Sequence, residues 1–494
     1  MICVSIGRGR HRALIAEHKH LAEIGAKLVE LRLDYIQSAV NLNRLLPERP
    51  CPVVITCRRE RDGGKWVRSE DQRLLLLRQA IVAGIEYVDL EEDVAAKIPR
   101  FGKTKRIISY HDFQETPEDL EGLHARLAAL DADVVKIATM VNHPHDNLRL
   151  LRLCRSSKVP TVAIGMGEAG TPSRVLCKRF GAPFTYAALS SDKLLAPGQL
   201  TFQQMKEVFR YEQINAETEI YGVVADPVAQ SLSPLIHNAG FANLKLNKVY
   251  LPFRVSNDQL PSFMADCAEL GVKGLSVTIP HKEEILKHIS KCDEATQKIG
   301  ACNTIVFKPE GILGYNTDYR AAMVCIDQVF GGDENNPKLD GKTMLVLGAG
   351  GVSRALVYGL MRRGADVVIA SRTDSKAADL AAVFGARSVA WESRHTIRPV
   401  LIVNGTPVGM HPVVDESPLD TRHLLHEMTV FDTVYNPEQT LLIKQARETG
   451  CTTITGIDMF VGQAALQFRL FTGQPAPLDL MRQVVRRAIS AAKT

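Results

Sequence analysis

Residues 196–234 read APGQLTFQQMKEVFRYEQINAETEIYGVVADPVAQSLSP, and two folds meet in them. APGQ (196–199) has the form of a loop closing one ligand site. Residues 201–213 carry helix-period apolar side chains, 214–218 form a short polar spacer, and 219–224 (EIYGVV) form a β-rich run. SLSP (231–234) then begins a second polar cluster. So short a spacer predicts lobes held close rather than joined by a long tether.

Upstream, eight β-rich runs recur, at 2–6, 28–33, 52–57, 87–90, 106–110, 133–138, 160–164 and 183–187. Segments with helical periodicity separate them. Eight βα repeats predict a (β/α)8 barrel; a doubly wound open sheet is the competing topology. Barrel chemistry sits where strands end. Glu30 and Arg32, Arg58, Glu91, His111, Lys136, Arg174 and Gln199 fall at or just beyond those ends. Any one of these reads equally as a solvated loop charge, but eight at one rim point to a site.

Lys136 alternates with Val134 and Ala138, so it faces the barrel interior. A buried lysine must be paired or neutral. A neutral amine suits imine chemistry, while a structural Lys–Glu pair is the alternative. His111 is the natural proton carrier, with Glu91 placed to orient it. The arginines imply an anionic substrate. His143-x-His145 reads as a loop rather than a metal site, with no third ligand nearby, and no metal is expected.

Downstream, KTMLVLGAGGVSRALVYGLMRRG is strand, glycine turn, helix. Gly348, Gly350 and Gly351 permit close approach of a pyrophosphate to the helix N-terminus. The next strand ends in Ser371, Arg372 and Thr373, where an NAD binder would place an acid. A hydroxyl followed by arginine suits a 2′-phosphate, so NADP is expected over NAD; a plain surface arginine is the alternative. Ahead of this lobe, Ser231 and Ser233, Thr278 to Lys282, Asn303 and Asp318 each follow a β-rich run. Lys282 and Asp318 could share a proton during carbonyl reduction.

The chain has 494 residues, 45% hydrophobic and 23% charged, with net charge +5. That length allows two to four domains at ~100–200 residues each. The small charge without Lys/Arg blocks excludes a nucleic-acid partner of basic-tract type. Ten cysteines without a CxxC pair argue for a reducing compartment. The first residues form a strand and the longest apolar stretch is interrupted by Arg78 and Gln79. Neither a targeting peptide nor a membrane span is therefore expected, and the location reads as cytoplasmic.

ELRLD, ITCR followed by GG, YHDF, DVVKIA, MGxxGxxSR and APGQ resemble, in order, type I 3-dehydroquinate dehydratase. The resemblance implies an imine between Lys136 and the substrate ketone. It makes His111 the proton carrier held by Glu91, and Arg174 the carboxylate ligand. Glu30, Arg32, Arg58 and Gln199 would take hydroxyls. Leu195 departs from a serine common before APGQ. SLSPxxHN, SVTIPHK, GACNTI, GYNTD, GAGG, SRT, NGTPVGM and YNP resemble shikimate dehydrogenase. That resemblance implies reduction of 3-dehydroshikimate by NADPH, with Lys282 and Asp318 catalytic. Ser231, Ser233, Thr278, Asn303 and Gln463 would hold substrate. The glycines and Ser371–Thr373 would hold cofactor, with Thr406 and Met459 near the nicotinamide.

The expected architecture is a barrel (1–213), a substrate lobe (219–330, with helix 478–490) and a Rossmann-type NADP lobe (338–477), with a spacer at 330–341. A homodimer is compatible with the resemblance. The competing readings are a quinate dehydrogenase using NAD as the second half, and a non-catalytic sensor or repressor on the same folds.

Overall fold

Strands joined through helices pair in parallel, because a tight turn cannot return the chain to the same edge. In the computed structural model, which describes residues 1–333 and 335–491, the first eight strands do so. They are β1 (Ile2–Ile6), β2 (Leu28–Arg32), β3 (Val53–Thr56), β4 (Tyr87–Glu91), β5 (Lys105–Asp112), β6 (Val134–Met140), β7 (Thr161–Met166) and β8 (Thr185–Ala188). Their order is β7-β6-β5-β4-β3-β2-β1-β8, and all recorded pairings are parallel. Pairing of β8 with β1 curls the sheet into a near-closed barrel and excludes the doubly wound alternative for this half.

The two-residue period of a strand layers the interior. Cys3, Leu28, Val54, Ile107 and Val134 form an apolar layer with Phe184 and Tyr186. Two residues further along the same strands stand Ser5, Glu30, Thr56, Ser109 and Lys136, all buried. The layer above holds Arg32, Arg58, Glu91 and His111. A hydrophobic floor thus carries a polar site at the C-terminal strand ends.

The helix expected over 201–213 is not continuous. A π-turn spans Gln204–Val208, Arg210 adopts φ +48°, and a 3-10 turn covers Tyr211–Gln213. A non-glycine residue in the left-handed region ends a helix. The spacer at 214–218 is an ordered turn rather than a tether. Ile214 and Thr218 are buried, and Thr218 Oγ1 receives the Asn215 amide and donates to Asn247 Oδ1.

The chain divides into two compact units. The first comprises Met1–Ile220, Asp226–Ala229 and Asn247–Val272. β9 (Glu219–Ala225) follows the spacer, and β10 (Lys248–Arg254) with helix Leu260–Leu270 belongs to this first unit. That helix is tied to barrel helix Pro144–Ser156 by His145 Nδ1 to Asp266 at 2.9 Å and by a fork of Arg152 on Glu269. His145, read as a loop residue, thus sits in the first turn of a helix and serves packing.

In the second unit, β9, β11 (Val272–Val277), β13, β14 and β12 follow in that order, with β12 at Lys291–Cys292, β13 at Thr304–Lys308 and β14 at Gly311–Tyr315. The strands β15 (Thr343–Leu347), β16 (Asp366–Ser371), β17 (Arg387–Ala390), β18 (Leu401–Asn404), β19 (Thr429–Asp432) and β20 (Thr452–Ile454) make a separate parallel sheet. Its order is β17-β16-β15-β18-β19-β20, which reverses direction at β15 and so opens a ligand crevice there. Helix Leu478–Ala491 packs on helix Ser233–Asn243. Of the spacer expected at 330–341, Glu334 lies outside the described residues. Among the described residues no helix is long and apolar enough to cross a membrane.

Candidate active sites

Seven of the eight barrel residues singled out from the sequence line one cavity at the strand ends: Glu30, Arg32, Arg58, His111, Lys136, Arg174 and Gln199. Leu195 lines it too. Its atom-free space is about 540 Å³ counting the open mouth.

Lys136 Nζ lies 3.0 Å from Asp89 Oδ2 and 3.7 Å from Glu30 Oε1. The amine is therefore paired, as the structural alternative required, yet it also faces the cavity. Asp89 was missed in the sequence. It receives Arg58 Nη2 at 2.7 Å and Ser109 Oγ at 2.6 Å. Its signal was present, because Asp89 and Glu91 stand two apart on β4 and share the inward face. Glu91 does not orient His111 directly as expected. It binds Arg73 at 2.8 Å and Arg58 at 3.5 Å, and Arg58 Nη1 donates to His111 Nδ1 at 3.1 Å. A longer arginine bridges what was read as a direct contact.

Burial, aided by the cations of Arg58 and Lys136, holds the His111 imidazole well below its ordinary pKa, so the ring is neutral near pH 7. Burial alone would raise the Asp89 and Glu30 carboxyls. Arg58 and Lys136 outweigh it at Asp89, Lys136 and Arg32 at Glu30, and both stay ionised. Arg174 differs from the other barrel arginines. Arg32 forks on Asp34, and Arg58 and Arg73 hold acids. Arg174 gives one bond to the Pro197 carbonyl at 3.1 Å, and its Nε has no partner. Burial brings this guanidinium down to about 10. A buried cation with no acid partner beside a cavity has the charge and free donor to receive an anion.

In the second unit Lys282 Nζ meets Asp318 Oδ2 at 2.6 Å. Asn303 Oδ1 receives the Thr317 amide at 2.7 Å, at the start of the helix that carries Asp318. Gln467, not foreseen, ties Ser276 Oγ to Thr304 Oγ1. Ser231 Oγ accepts the Ser233 amide, Thr278 NH donates to the Val224 carbonyl, and Gln463 donates to the Phe460 carbonyl. No hydrogen bond among the described residues joins these three side chains to the Lys282–Asp318 pair.

The glycine turn follows β15. Gly348 has φ +103°, and a Cβ there would lie 3.0 Å from the Gly405 carbonyl oxygen and from Thr406 Cγ2. A Cβ at Gly350 would meet nothing within 4 Å, while one at Gly351 would lie 3.2 Å from Lys282 Cδ. The turn therefore offers open space before the helix N-terminus, and the lysine stem lies beside it. Thr406 is fixed by Asn404, whose Oδ1 accepts its Oγ1 at 2.6 Å. Asn404 is held in turn by buried Asp432 at 3.0 Å. Ser371 ends β16 and accepts the Thr373 amide, and Arg372 is exposed. Met459 is buried in the core of this lobe.

A barrel with an interior amine, followed by a glycine-turn lobe with a Lys–Asp pair, defines a lyase-type half and a nicotinamide-dependent dehydrogenase half. Comparison with known proteins agrees. Residues 2–216 match the type I 3-dehydroquinase family and 223–305 the shikimate dehydrogenase substrate binding domain. Residues 332–401 match shikimate / quinate 5-dehydrogenase and 456–486 the shikimate 5'-dehydrogenase C-terminal domain. The chain is 37% identical, over 99% of its length and 84% of the relative's, to the chloroplastic bifunctional 3-dehydroquinate dehydratase/shikimate dehydrogenase of Arabidopsis thaliana. It is 39% identical over 55% of its length to the NADP(+) shikimate dehydrogenase of Methanopyrus kandleri, covering 96% of that protein. A crystal structure of a shikimate dehydrogenase with NADP+ matches with TM-score 0.53 and 34% identity, over 56% of this chain and 97% of that one. The chain belongs to the bifunctional 3-dehydroquinate dehydratase/shikimate dehydrogenase family.

Proposed function

We infer that the chain dehydrates 3-dehydroquinate in its barrel and reduces the product, 3-dehydroshikimate, to shikimate with NADPH in its second unit. The observation that carries this is the meeting of Lys136, His111 and the acid-free Arg174 at one cavity. Family membership supplies the substrates.

Arg174 receives the substrate carboxylate. Lys136 attacks the ketone carbon, the ketone oxygen leaves as water, and the resulting imine draws electrons from the adjacent C–H bond. Arg58 turns from His111 to a substrate hydroxyl and so bares Nδ1. That nitrogen removes the proton, and the β-hydroxyl departs with a proton as water. A second water then hydrolyses the imine. Glu30, Arg32 and Gln199 face the remaining hydroxyls, and Leu195 supplies no hydroxyl to them.

In the second unit, Lys282 and Asp318 hold the proton that the ketone oxygen takes on reduction. Ser231, Ser233, Thr278, Asn303 and Gln463 face the ring. NADPH, when bound, supplies the hydride. Gly348, Gly350 and Gly351 leave room for its pyrophosphate, while Ser371, Arg372 and Thr373 suit its 2′-phosphate. Thr406 and Met459 flank the nicotinamide side. The functional divisions are 1–213, 219–330 with 478–490, and 338–477. A cytoplasmic location and a homodimer complete the proposal, with no nucleic-acid or membrane partner.

Single substitutions test the division of labour. Asp318→Asn is expected to lose reduction and keep dehydration, and Lys136→Ala the reverse. Loss of both activities in either variant would contradict two separate sites.

A further inference from the structure

Two buried polar atoms of residues lining the barrel cavity lack a hydrogen-bond partner: Nε of Arg174 and the phenolic oxygen of Tyr186. The first is accounted for by the substrate carboxylate. The second has no assigned role. Tyr186 is 4% exposed, lies opposite Cys3 in the β1–β8 register and packs edge-on against Phe184. A phenylalanine would fill the same space against those neighbours. Leaving a phenol unpaired in a protein interior costs free energy, so packing alone does not explain the oxygen.

The position of the ring points to its use. Lys136 Nζ stands 4.1 Å from the Tyr186 ring centroid. With Nζ over the ring face and the phenolic oxygen on the ring's rim, a ketone carbon bonded to Nζ can carry its oxygen toward that hydroxyl. The other polar groups around the amine already have tasks in the proposed reaction: Glu30, Arg32 and Arg58 take substrate hydroxyls and His111 takes the C–H proton, so the ketone oxygen has no other assigned donor. We propose that the Tyr186 hydroxyl is a substrate-binding group of the dehydratase, donating a hydrogen bond to the ketone oxygen as Lys136 adds to its carbon.

In that step the Nζ–C bond forms and the carbonyl π pair moves to oxygen. One proton lost by the amine neutralises that oxygen, and a second passes from the nitrogen to it as the C–O bond breaks and the C=N bond forms, so it leaves as water. Tyr186 donates a hydrogen bond throughout and keeps its own proton. Burial pushes its phenol well above the ordinary value, which suits a donor that does not ionise.

The inference rests on Lys136 being the imine-forming amine, and one experiment separates the two. Tyr186→Phe and wild-type full-length chain are mixed with 3-dehydroquinate and quenched with borohydride over time. The adduct on the Lys136 peptide is quantified by mass, with dehydration kinetics and thermal unfolding measured alongside. The expected result is a fall of roughly 100- to 1,000-fold in kcat and in the rate of adduct formation. Unfolding temperature should be unchanged or raised, because the unpaired phenol is removed, and 3-dehydroshikimate reduction should be unchanged. Wild-type adduct with equal rates in Tyr186→Phe overturns the role of the hydroxyl alone. Absence of a Lys136 adduct in the wild type overturns the imine assignment and this inference with it. A fall in activity matched by a lowered unfolding temperature assigns the phenol to stability and also overturns it.

Discussion

Arg174→Met separates binding from folding in opposite directions. The guanidinium is 2% exposed and donates one hydrogen bond, to the Pro197 carbonyl. Burial lowers it from 12.5 to about 10, which at neutral pH corresponds to a cost of roughly 3 kcal/mol for holding the charge. Methionine removes that cost and loses a hydrogen bond worth about 1 kcal/mol together with some packing. The barrel is therefore expected to gain about 1–2 kcal/mol of stability. The substrate carboxylate loses its partner, and truncating one side of a buried charge pair costs ~2–5 kcal/mol. Dehydratase kcat/KM should fall by about 30-fold to several thousand-fold. The assay follows the ultraviolet absorbance of the conjugated product, and thermal unfolding is recorded with and without substrate. Wild type should be protected by substrate and Arg174→Met should not. A variant that keeps kcat/KM within about threefold of wild type would refute the carboxylate assignment. A variant less stable than wild type would refute the unmatched-cation argument.

The cofactor lobe supports three further tests. Gly350→Ala adds a methyl where nothing lies within 4 Å, so unfolding should be unchanged while NADPH affinity, read by fluorescence titration, falls tenfold or more; unchanged affinity would place the pyrophosphate elsewhere. Arg372→Ala should weaken NADPH binding while leaving NADH binding nearly unaltered, and equal losses would remove Arg372 from the 2′-phosphate. Asp432 is raised by burial to about 6 despite bonds from Thr440, Val434 and Asn404. Its folded value exceeds its unfolded 3.8, so its contribution to stability is complete below that value and is lost as pH rises through about 6. Wild type should therefore gain stability from this group between pH 7 and 5, and Asp432→Asn should flatten the slope in denaturant unfolding. Parallel slopes would exclude Asp432 as the titrating group.

Strand repeats and polar strand ends were legible because their periods are local. All eight barrel strands were foreseen, and so was the cavity that joins Lys136 to His111 and Arg174. What escaped depends on partners far apart in sequence. Arg58 stands between Glu91 and His111, a geometry that side-chain length decides and spacing does not reveal. Asp89 shares the inward face of its strand with Glu91 through a two-residue offset, and the sequence alone does not say which of the two acids meets Lys136. The break at Arg210 follows a positive φ, and the Arg210 side chain donates to the Lys248 carbonyl, 38 residues on. The attachment of β10 and helix Leu260–Leu270 to the first unit rests on pairs such as Arg152–Glu269, which no local pattern announces. Gln467 and Asn404 act through hydrogen-bond chains, so single-residue chemistry did not mark them.

One chain performs two consecutive reactions. The most direct test of this supplies purified full-length protein with 3-dehydroquinate and NADPH and follows NADPH absorbance together with product formation. One NADPH should be oxidised and one shikimate formed for each 3-dehydroquinate consumed, with no added enzyme. Consumption of 3-dehydroquinate without NADPH oxidation, or no consumption at all, would contradict this.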